Sequence, residues 1–161
     1  MNRSEYNTSI DTYAKRIHVF VFRLVKNYED TNDIVQDAFE RLWINRSGVD
    51  VERVKAWLFT TAYNLSLNFL KKKKPQYLDD AYYNEPFVNE GSFEVRDTLD
   101  KVMEFLPPIQ KSIILLRDME GYAYEEIAEI LHLSESQVKV YLFRGRQRVK
   151  NILKDLTVLV A

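Results

Sequence analysis

The sequence predicts an all-α protein of two small helical domains joined by a flexible linker, the C-terminal one a helix-turn-helix of the winged-helix-like class. Apolar residues recur at helical spacing through most of the 161 residues, and no segment shows the alternation typical of a strand. Between residues 75 and 92 this periodicity gives way to prolines, a glycine and acidic residues. The last third contains two short helical patterns separated by a tight turn.

The N-terminal half is predicted to begin with two amphipathic helices. Apolar spacing places the first over residues 6–26. The polar stretch 28–31 is expected to break that helix, and Thr31 or Asn32 to cap a second helix that runs through Trp43. The apolar stripe of the second helix comprises Ile34, Val35, Ala38, Phe39 and Leu42.

A loop and a third helix follow. The loop is expected at residues 46–50 and the helix from about residue 52 to residue 73, because the residue before Pro75 is biased away from helix. The acidic segment that comes next has the composition of a tether, although its aromatic residues suggest that it docks. We therefore predict one domain over residues 1–74, an acidic linker over 75–92 and a second domain over 93–161.

Two further helices are predicted before the helix-turn-helix. The fourth covers roughly residues 93–105, and Pro107-Pro108 begins the fifth, since proline suits the first turn of a helix. The fifth helix is expected to reach about Met119, with Gly121 as a left-handed cap.

Residues 124–146 have the layout of a helix-turn-helix that inserts its second helix into the DNA major groove. Ser134, with Gln137 three residues later, forms a capping box where that second helix should begin. His132 is expected to tolerate the left-handed conformation of the turn. An inward stripe comprises Val138, Leu142, Gly145 and Val149, and an outward face comprises Gln137, Val140 and Arg144, with Lys139 and Phe143 beside it. From residue 139 to residue 154 every charged residue is basic, and we expect this helix to bind DNA.

Composition excludes several classes of protein. The net charge of −1 argues against indiscriminate coating of nucleic acid, although residues 51–78 and the C-terminal helix are locally basic. The chain has no cysteine, so disulfides and thiolate zinc sites are impossible. Its start is polar and its apolar runs are too short to span a bilayer, from which we expect a soluble, cytoplasmic protein. His18 and His132 have no ligand partner nearby in the sequence, and we expect neither a metal nor a cofactor.

Three segments, taken together, resemble the extracytoplasmic-function (ECF) group of RNA polymerase sigma factors in the sigma-70 family. Residues 33–43, which read Asp-Ile-Val-Gln-Asp-Ala-Phe-Glu-Arg-Leu-Trp, resemble the polymerase-binding helix of the family. Residues 57–70, which begin Trp-Leu-Phe-Thr-Thr-Ala-Tyr-Asn, resemble its −10 helix. Leu-Pro-Pro at 106–108 and residues 115–128 resemble its −35-binding domain. A helix-turn-helix alone is weakly specific, whereas these three segments in this order are strongly specific. The resemblance implies sigma domain 2 before the linker and sigma domain 4 after it.

The resemblance assigns a role to the polar side of the second helix. On the residues alone, this side is either an ordinary solvated face or a surface that steers a protein partner. The resemblance implies that it docks on the clamp region of the largest polymerase subunit. The candidate residues are Asp33, Gln36, Asp37, Glu40 and Arg41.

The third helix carries the candidates for the −10 element. Asparagine is a mediocre helix former, so two asparagines four residues apart need a reason, although tolerated surface polarity is an equally good one. Amides can hydrogen-bond the edges of unpaired bases, and the lysine run 71–74 is either a solvated helix end or a phosphate track. The resemblance favours capture of melted −10 bases, framed by the loop 46–53. The candidates are Thr60, Asn64, Asn68, Lys71 and Lys72.

The recognition helix carries the candidates for the −35 element. The resemblance puts contacts at Lys139, Val140, Phe143 and Arg144, and we add Ser136, Gln137, Arg146 and Arg148. Most family members have Gly-Thr at 136–137 and a small polar residue and an arginine at 140–141, so this chain departs from the family at all four positions. Val140 offers an apolar contact, for example to a thymine methyl, and Gln137 can pair with adenine.

The resemblance implies a transcription initiation factor that performs no covalent chemistry. The partners it implies are core RNA polymerase (the clamp of the largest subunit and the flap of the second-largest), promoter DNA and an anti-sigma factor, often membrane-bound, with no small-molecule substrate. The alternative is a stand-alone helix-turn-helix regulator, which would need a dimer to read two half-sites, and the chain shows no heptad seam. An enzyme acting on nucleic acid is rejected, because there is no carboxylate cluster, histidine-based site or phosphate-cradling glycine loop.

Overall fold

A computed structural model describes the backbone of residues 1–73 and 95–160, and the side chains of residues 1–73 and 98–156. Within these ranges there are seven α-helices and no strand, which confirms the all-α prediction. The predicted linker 75–92 and the first two residues of the predicted fourth helix lie outside the described residues. The helices are α1 (Arg3–Val25), α2 (Tyr28–Asn45), α3 (Val54–Lys73), α4 (Val95–Met103), α5 (Pro108–Ile114), α6 (Tyr124–Leu131) and α7 (Glu135–Val160).

The junction between α1 and α2 differs from the prediction. Lys26 has a left-handed backbone, with φ of 57°, and ends α1. Asn27, not Thr31 or Asn32, caps α2, and its side chain accepts a hydrogen bond from the Asp30 N–H at 3.0 Å. The prediction was wrong because it treated Glu29 and Asp30 as a polar break, whereas acidic residues favour the first turn of a helix.

Other helix boundaries differ from the prediction by a few residues. A capping box between Asn2 and Glu5 starts α1 at Arg3 rather than at residue 6. Where a loop is predicted after α2, the short 3₁₀ turns Arg46–Gly48 and Val51–Arg53 connect that helix to α3. Val49 between them is buried, and this anchors the connection to the core.

The C-terminal half follows its local signals closely. Pro108 opens α5, and the helix continues as a wider π-helical turn over Leu115–Met119, so it reaches the predicted end with a change of pitch. Gly121 (φ 74°) and His132 (φ 55°) both adopt the predicted left-handed conformation. Gly145 lets α7 cross close to α5, because a Cβ there would lie 3.0 Å from Cδ1 of Ile114.

The buried residues of both halves form one continuous core. The N-terminal half packs α1, α2 and α3 together, while α5 and α6 pack on α7 in the other half. An aromatic cluster reaches across the seam: Phe59 meets Phe20 of its own half and Tyr122 of the other half edge-on, each at 5.4 Å between ring centroids. Of the helices that carry candidate site residues, α2 packs on α3, and α6 lies between α3 and α7.

Candidate nucleic-acid and protein interfaces

The outer side of α2 presents a polar face. Its inner side is buried through Ile34, Ala38 and Leu42, which fixes the rotation of the helix. The predicted outer residues follow from that rotation: Asp33, Gln36, Glu40 and Arg41 are exposed and Asp37 is half-buried. The Nε of Arg41 donates to Oδ1 of Asp37 at 3.0 Å, so the face carries an internal ion pair that is open to water. The structure thus brings all five predicted polymerase-binding residues together on one surface.

Sequence reasoning missed an apolar extension of this face. Ile44 is 73% exposed and Trp43 is 37% exposed at the end of α2. Trp43 lies edge-on to Tyr6, with ring centroids 4.9 Å apart, and the Arg46 guanidinium lies 3.8 Å from the Trp43 ring centroid. An apolar patch that adjoins charged residues is typical of a protein-docking surface.

The candidate −10 residues on α3 do not all have the same surroundings. Asn64, Asn68, Lys71 and Lys72 are exposed, and helical spacing puts the first three in one row. Thr60 is half-buried, and its Oγ1 donates to the carbonyl oxygen of Ile130 at 2.8 Å. The accessible part of the predicted surface therefore begins at Asn64.

The end of α3 is strongly basic. Lys71, Lys72 and Lys73 are exposed, and the last residue of the predicted run, Lys74, lies outside the described residues. Lys73 is 3.7 Å from the Asp30 carboxylate and lies over the Phe69 ring. The remaining two ammonium groups extend the row of asparagines with positive charge.

The predicted capping box at the start of α7 is present. The Ser134 Oγ accepts from the Gln137 N–H at 3.1 Å, and the Gln137 Oε1 accepts from the Ser134 N–H at 2.9 Å. The Gln137 oxygen is thereby committed to the cap, and pairing with adenine would require its release. Ser136 is exposed beside it.

The rest of the recognition helix divides as predicted. Val138 and Leu142 are buried, which leaves four candidate residues, Lys139, Val140, Phe143 and Arg144, exposed on the outside. Phe143 is 69% exposed. Such a side chain is costly in water, and contact with DNA would cover it.

The two later arginines of α7 are less available. The Nε of Arg146 donates to Oδ2 of Asp118 at 3.2 Å, and this bond raises the pKa of the guanidinium. Arg148 is half-buried. Arg146 and Arg148 therefore differ from Lys139, Val140, Phe143 and Arg144, which are exposed to a partner.

Ion pairs join the start of α3 to the first helix of the helix-turn-helix. Lys55 Nζ lies 2.7 Å from Oε1 of Glu126 and over the Tyr122 ring, and this hydrogen bond lowers the pKa of the Glu126 carboxyl. Arg53 pairs with Glu129 at 2.6 Å. The N-terminal and C-terminal halves are thus held together by charge as well as by the core.

A third contact across the seam involves α1. Arg16 donates to the Glu120 carboxylate at 2.9 Å and to the Tyr122 hydroxyl. Burial raises the pKa of the Tyr122 hydroxyl, so it stays protonated. These contacts join residues roughly a hundred positions apart in the sequence, and local periodicity does not predict them.

Within the described residues, no group of three or more His, Asp or Glu side chains could hold a metal ion. In the same ranges, no helix is long and apolar enough to cross a membrane. His18 instead bonds to the Asn32 side chain, with Nε2 2.9 Å from Oδ1.

Comparison with known proteins identifies both halves. Residues 10–76 match the family described as Sigma-70 region 2, and residues 96–149 match Sigma-70, region 4. The ECF RNA polymerase sigma factor SigW of Bacillus subtilis is 30% identical, over 91% of this chain and 88% of SigW. The ECF RNA polymerase sigma-E factor of Escherichia coli is 27% identical, over 96% of this chain and 90% of that protein.

Two solved structures share the fold. One is the sigma factor RpoE in complex with the anti-sigma factor NepR from Bartonella quintana, with a TM-score of 0.73, 22% identity and coverage of 92% of this chain and 96% of RpoE. The other is CnrH in complex with the cytosolic domain of CnrY, with a TM-score of 0.74, 20% identity and coverage of 96% and 90%.

Proposed function

Because this chain belongs to the ECF group of the sigma-70 family, we propose that its two halves divide promoter recognition between them. The protein is a transcription initiation factor that directs RNA polymerase to promoters. One observation carries this conclusion: a region 2 and a region 4 follow each other in one chain that aligns with SigW over nearly its whole length. A stand-alone regulator is not favoured, because it has no use for a region 2.

The polar face of α2 docks on the clamp of the largest polymerase subunit. Asp37 and Arg41 are already paired with each other at 3.0 Å. The exposed residues of this face that remain to contact the polymerase clamp are Asp33, Gln36 and Glu40. Trp43 and Ile44 add the apolar area that charged groups alone do not supply. The flap of the second-largest subunit engages the C-terminal half.

The row on α3 captures the melted −10 strand. Asn64 and Asn68 offer amide donors and acceptors to unpaired base edges, and Lys71 and Lys72 follow the phosphates. Thr60 joins this row once its bond to the Ile130 carbonyl is released. The preceding loop, where Arg46 covers Trp43, frames the flipped base.

The recognition helix reads the −35 element. Val140 and Phe143 make apolar contacts with the groove, while Lys139 and Arg144 pair with phosphates or guanine edges. Ser136 and Gln137 approach the DNA at the start of the helix, and Arg146 and Arg148 reach its backbone after Arg146 leaves Asp118.

The described arrangement is that of the free protein, and the halves separate on the promoter. The two elements lie about 25 base pairs apart, which is about 85 Å of duplex at 3.4 Å per pair. We call the described arrangement, in which the two halves are packed together, the closed form. In it a hydrogen bond joins α3 to α6, so one chain cannot reach both elements unless the two halves separate. The ion pairs of Lys55 and Arg53 with α6 are exposed enough to break at small cost.

An anti-sigma factor is a further partner, by analogy with RpoE, which was solved bound to one. Such a partner would hold the chain away from polymerase until it is released. The exposed faces of α2 and α7 are the surfaces it would have to cover.

Co-elution of the purified chain with core RNA polymerase tests the proposal, with duplex DNA binding measured separately. The expected result is a stable complex with core enzyme and weak binding of the isolated chain to DNA. A variant with Asp33, Gln36 and Glu40 changed to alanine should lose the complex, while Thr8→Ala on the exposed side of α1 serves as the control. Tight DNA binding without polymerase, and no co-elution, would contradict it.

A further inference from the structure

Lys111 in α5 is a buried lysine that forms no ion pair within the part of the chain that the structure describes. Only 6% of the residue is exposed. In residues 1–73 and 98–156, no hydrogen bond or ion pair joins its ammonium group to another atom. Burial, and secondly the nearby charge of Lys26, lowers the pKa of Lys111 to about 7. A buried lysine is normally paired, so this one requires an explanation.

The Lys111 side chain lines a cavity of about 330 Å³ at the seam between the two halves. The ends of α1 and α3 form one wall, through Leu24 and Phe69, and Leu106 and Pro108 at the start of α5 form the other. That volume lies at the lower end of the range of small-molecule sites. The cavity is therefore large enough for a small organic molecule, and its walls combine apolar and charged side chains.

The charged groups of the cavity are unbalanced. Of the described residues, three lysines line it, Lys26, Lys73 and Lys111, against one carboxylate, that of Glu104. Glu104 is engaged by Lys26 at 3.6 Å, and Lys73 lies 3.7 Å from Asp30 outside the cavity. Among the described residues, the lining thus has more basic than acidic groups, and Lys111 is the most buried of the three lysines.

We propose that this cavity binds a small amphipathic anion, a carboxylate on a short hydrocarbon chain, whose head group pairs with Lys111. The carboxylate supplies the charge and the hydrogen-bond acceptors that the ammonium lacks. The hydrocarbon chain lies against Leu24, Phe69 and Leu106; because Leu24 and Leu106 are already buried, the apolar surface that leaves water is mainly that of the ligand. The exposed lysines Lys26 and Lys73 add positive charge at the rim, which favours entry of an anion.

Such a ligand would favour the closed arrangement of the two halves. Its site is built from α1 and α3 on one side and from the start of α5 on the other, so it exists in full only when they are packed together. A molecule that binds one of two states shifts the population toward that state. Only the shift toward the closed arrangement rests on the proposed function; the binding of the anion to the cavity does not depend on it.

Titration calorimetry of the full chain with sodium octanoate, below its micelle concentration, tests the proposal. We expect saturable binding to one site, at least tenfold weaker for octanol, which lacks the charge, and for acetate, which lacks the chain. Inorganic phosphate that binds as tightly as octanoate would contradict the amphipathic assignment, as would no octanoate binding at all.

Two variants test the location of the site. Lys111→Met keeps an unbranched side chain only one atom shorter and removes the charge, and it should weaken octanoate binding at least tenfold. Leu70→Trp, at the cavity wall, should block binding by filling the space. Lys15→Met, an exposed lysine on α1, should bind octanoate as the natural chain does. Equal affinity in Lys111→Met would overturn the proposal.

Proton uptake provides a readout that is independent of affinity. At pH 8 Lys111 is mostly neutral in the empty cavity, and a bound carboxylate should restore its proton, so uptake should approach one proton per octanoate. The other charged groups that face Lys111 are Arg23, Lys26, Lys73, Asp100 and Glu104. All of them remain in Lys111→Met, so uptake that persists in this variant would assign the proton elsewhere and contradict the proposal.

Discussion

Replacing Lys111 with methionine should make this protein more stable, although it removes a charged residue from a charged cavity. Methionine fills a similar volume and needs no partner. In the natural chain, folding transfers the ammonium from water into a buried site, where the unfavourable effects of burial and of the nearby cations outweigh the attraction of Asp100 and Glu104. The variant escapes this penalty.

The magnitude follows from the pKa of Lys111, which burial lowers from 10.5 to about 7. At about 1.36 kcal/mol per tenfold change, this corresponds to a penalty of roughly 5 kcal/mol where the folded chain holds the proton. Because the cavity is partly open to solvent, the full penalty is an upper limit, and we expect a gain on the order of 2 to 4 kcal/mol in the free energy of unfolding at pH 6.

The gain should depend on pH in a defined direction. Below pH 7 both folded and unfolded chains carry the proton, and the penalty is complete. Between pH 7 and 10.5 the folded chain has released the proton while the unfolded chain keeps it, so the penalty shrinks as pH rises. By pH 9 the advantage of the variant should be about half its value at pH 6.

Urea unfolding of both proteins at pH 6, 7.5 and 9, followed by circular dichroism, measures this difference. Dialysis beforehand removes any bound anion, which would stabilise the natural chain alone. Lys15→Met, an exposed lysine on α1, should change stability by less than about 0.5 kcal/mol at every pH. A Lys111→Met variant that is less stable than the natural chain, or equally stabilised at pH 6 and pH 9, would refute the reasoning.

Three further predictions concern the interfaces. Asp37→Arg should weaken binding to core polymerase at least tenfold in a co-elution or fluorescence assay, with an unchanged melting temperature; unaltered binding would remove α2 from the interface. Arg144→Ala should lower transcription from −35-dependent promoters by about tenfold without loss of polymerase binding, and joint loss of both would contradict the division between the halves. Glu126→Gln should weaken the closed form by about 0.5 to 1 kcal/mol, because its partner Lys55 is partly exposed. To measure this, one cysteine is introduced into each half of this cysteine-free chain and labelled with a donor or an acceptor fluorophore. Energy transfer between the two fluorophores should be lower in Glu126→Gln. Unchanged energy transfer would show that the ion pair does not support closure.

Local chemistry made much of the fold predictable. The capping box of Ser134 and Gln137, and the left-handed residues His132 and Gly121, were correctly predicted because a few neighbouring residues determine each of them. The cap at Asn27 was missed although its signal was available, an asparagine followed by acidic residues in the first helical turn. The exposure of the α2 face followed from helical periodicity alone.

The contacts between the halves could not be predicted in this way. Thr60 was assigned to the −10 row by its spacing from Asn64, yet its hydroxyl bonds to Ile130, which lies 70 residues further along the chain. No local sequence pattern predicts that Lys111 is buried, because its burial depends on the packing of α1 and α3 beside α5. Such features depend on tertiary packing, and a single sequence does not encode them in any short pattern.

The most direct test of the central claim is genome-wide run-off transcription by the cognate core polymerase, with and without the purified protein. We expect new start sites that share two spaced upstream elements, one near −10 and one near −35. No new start sites, together with tight binding of the protein alone to duplex DNA, would contradict it.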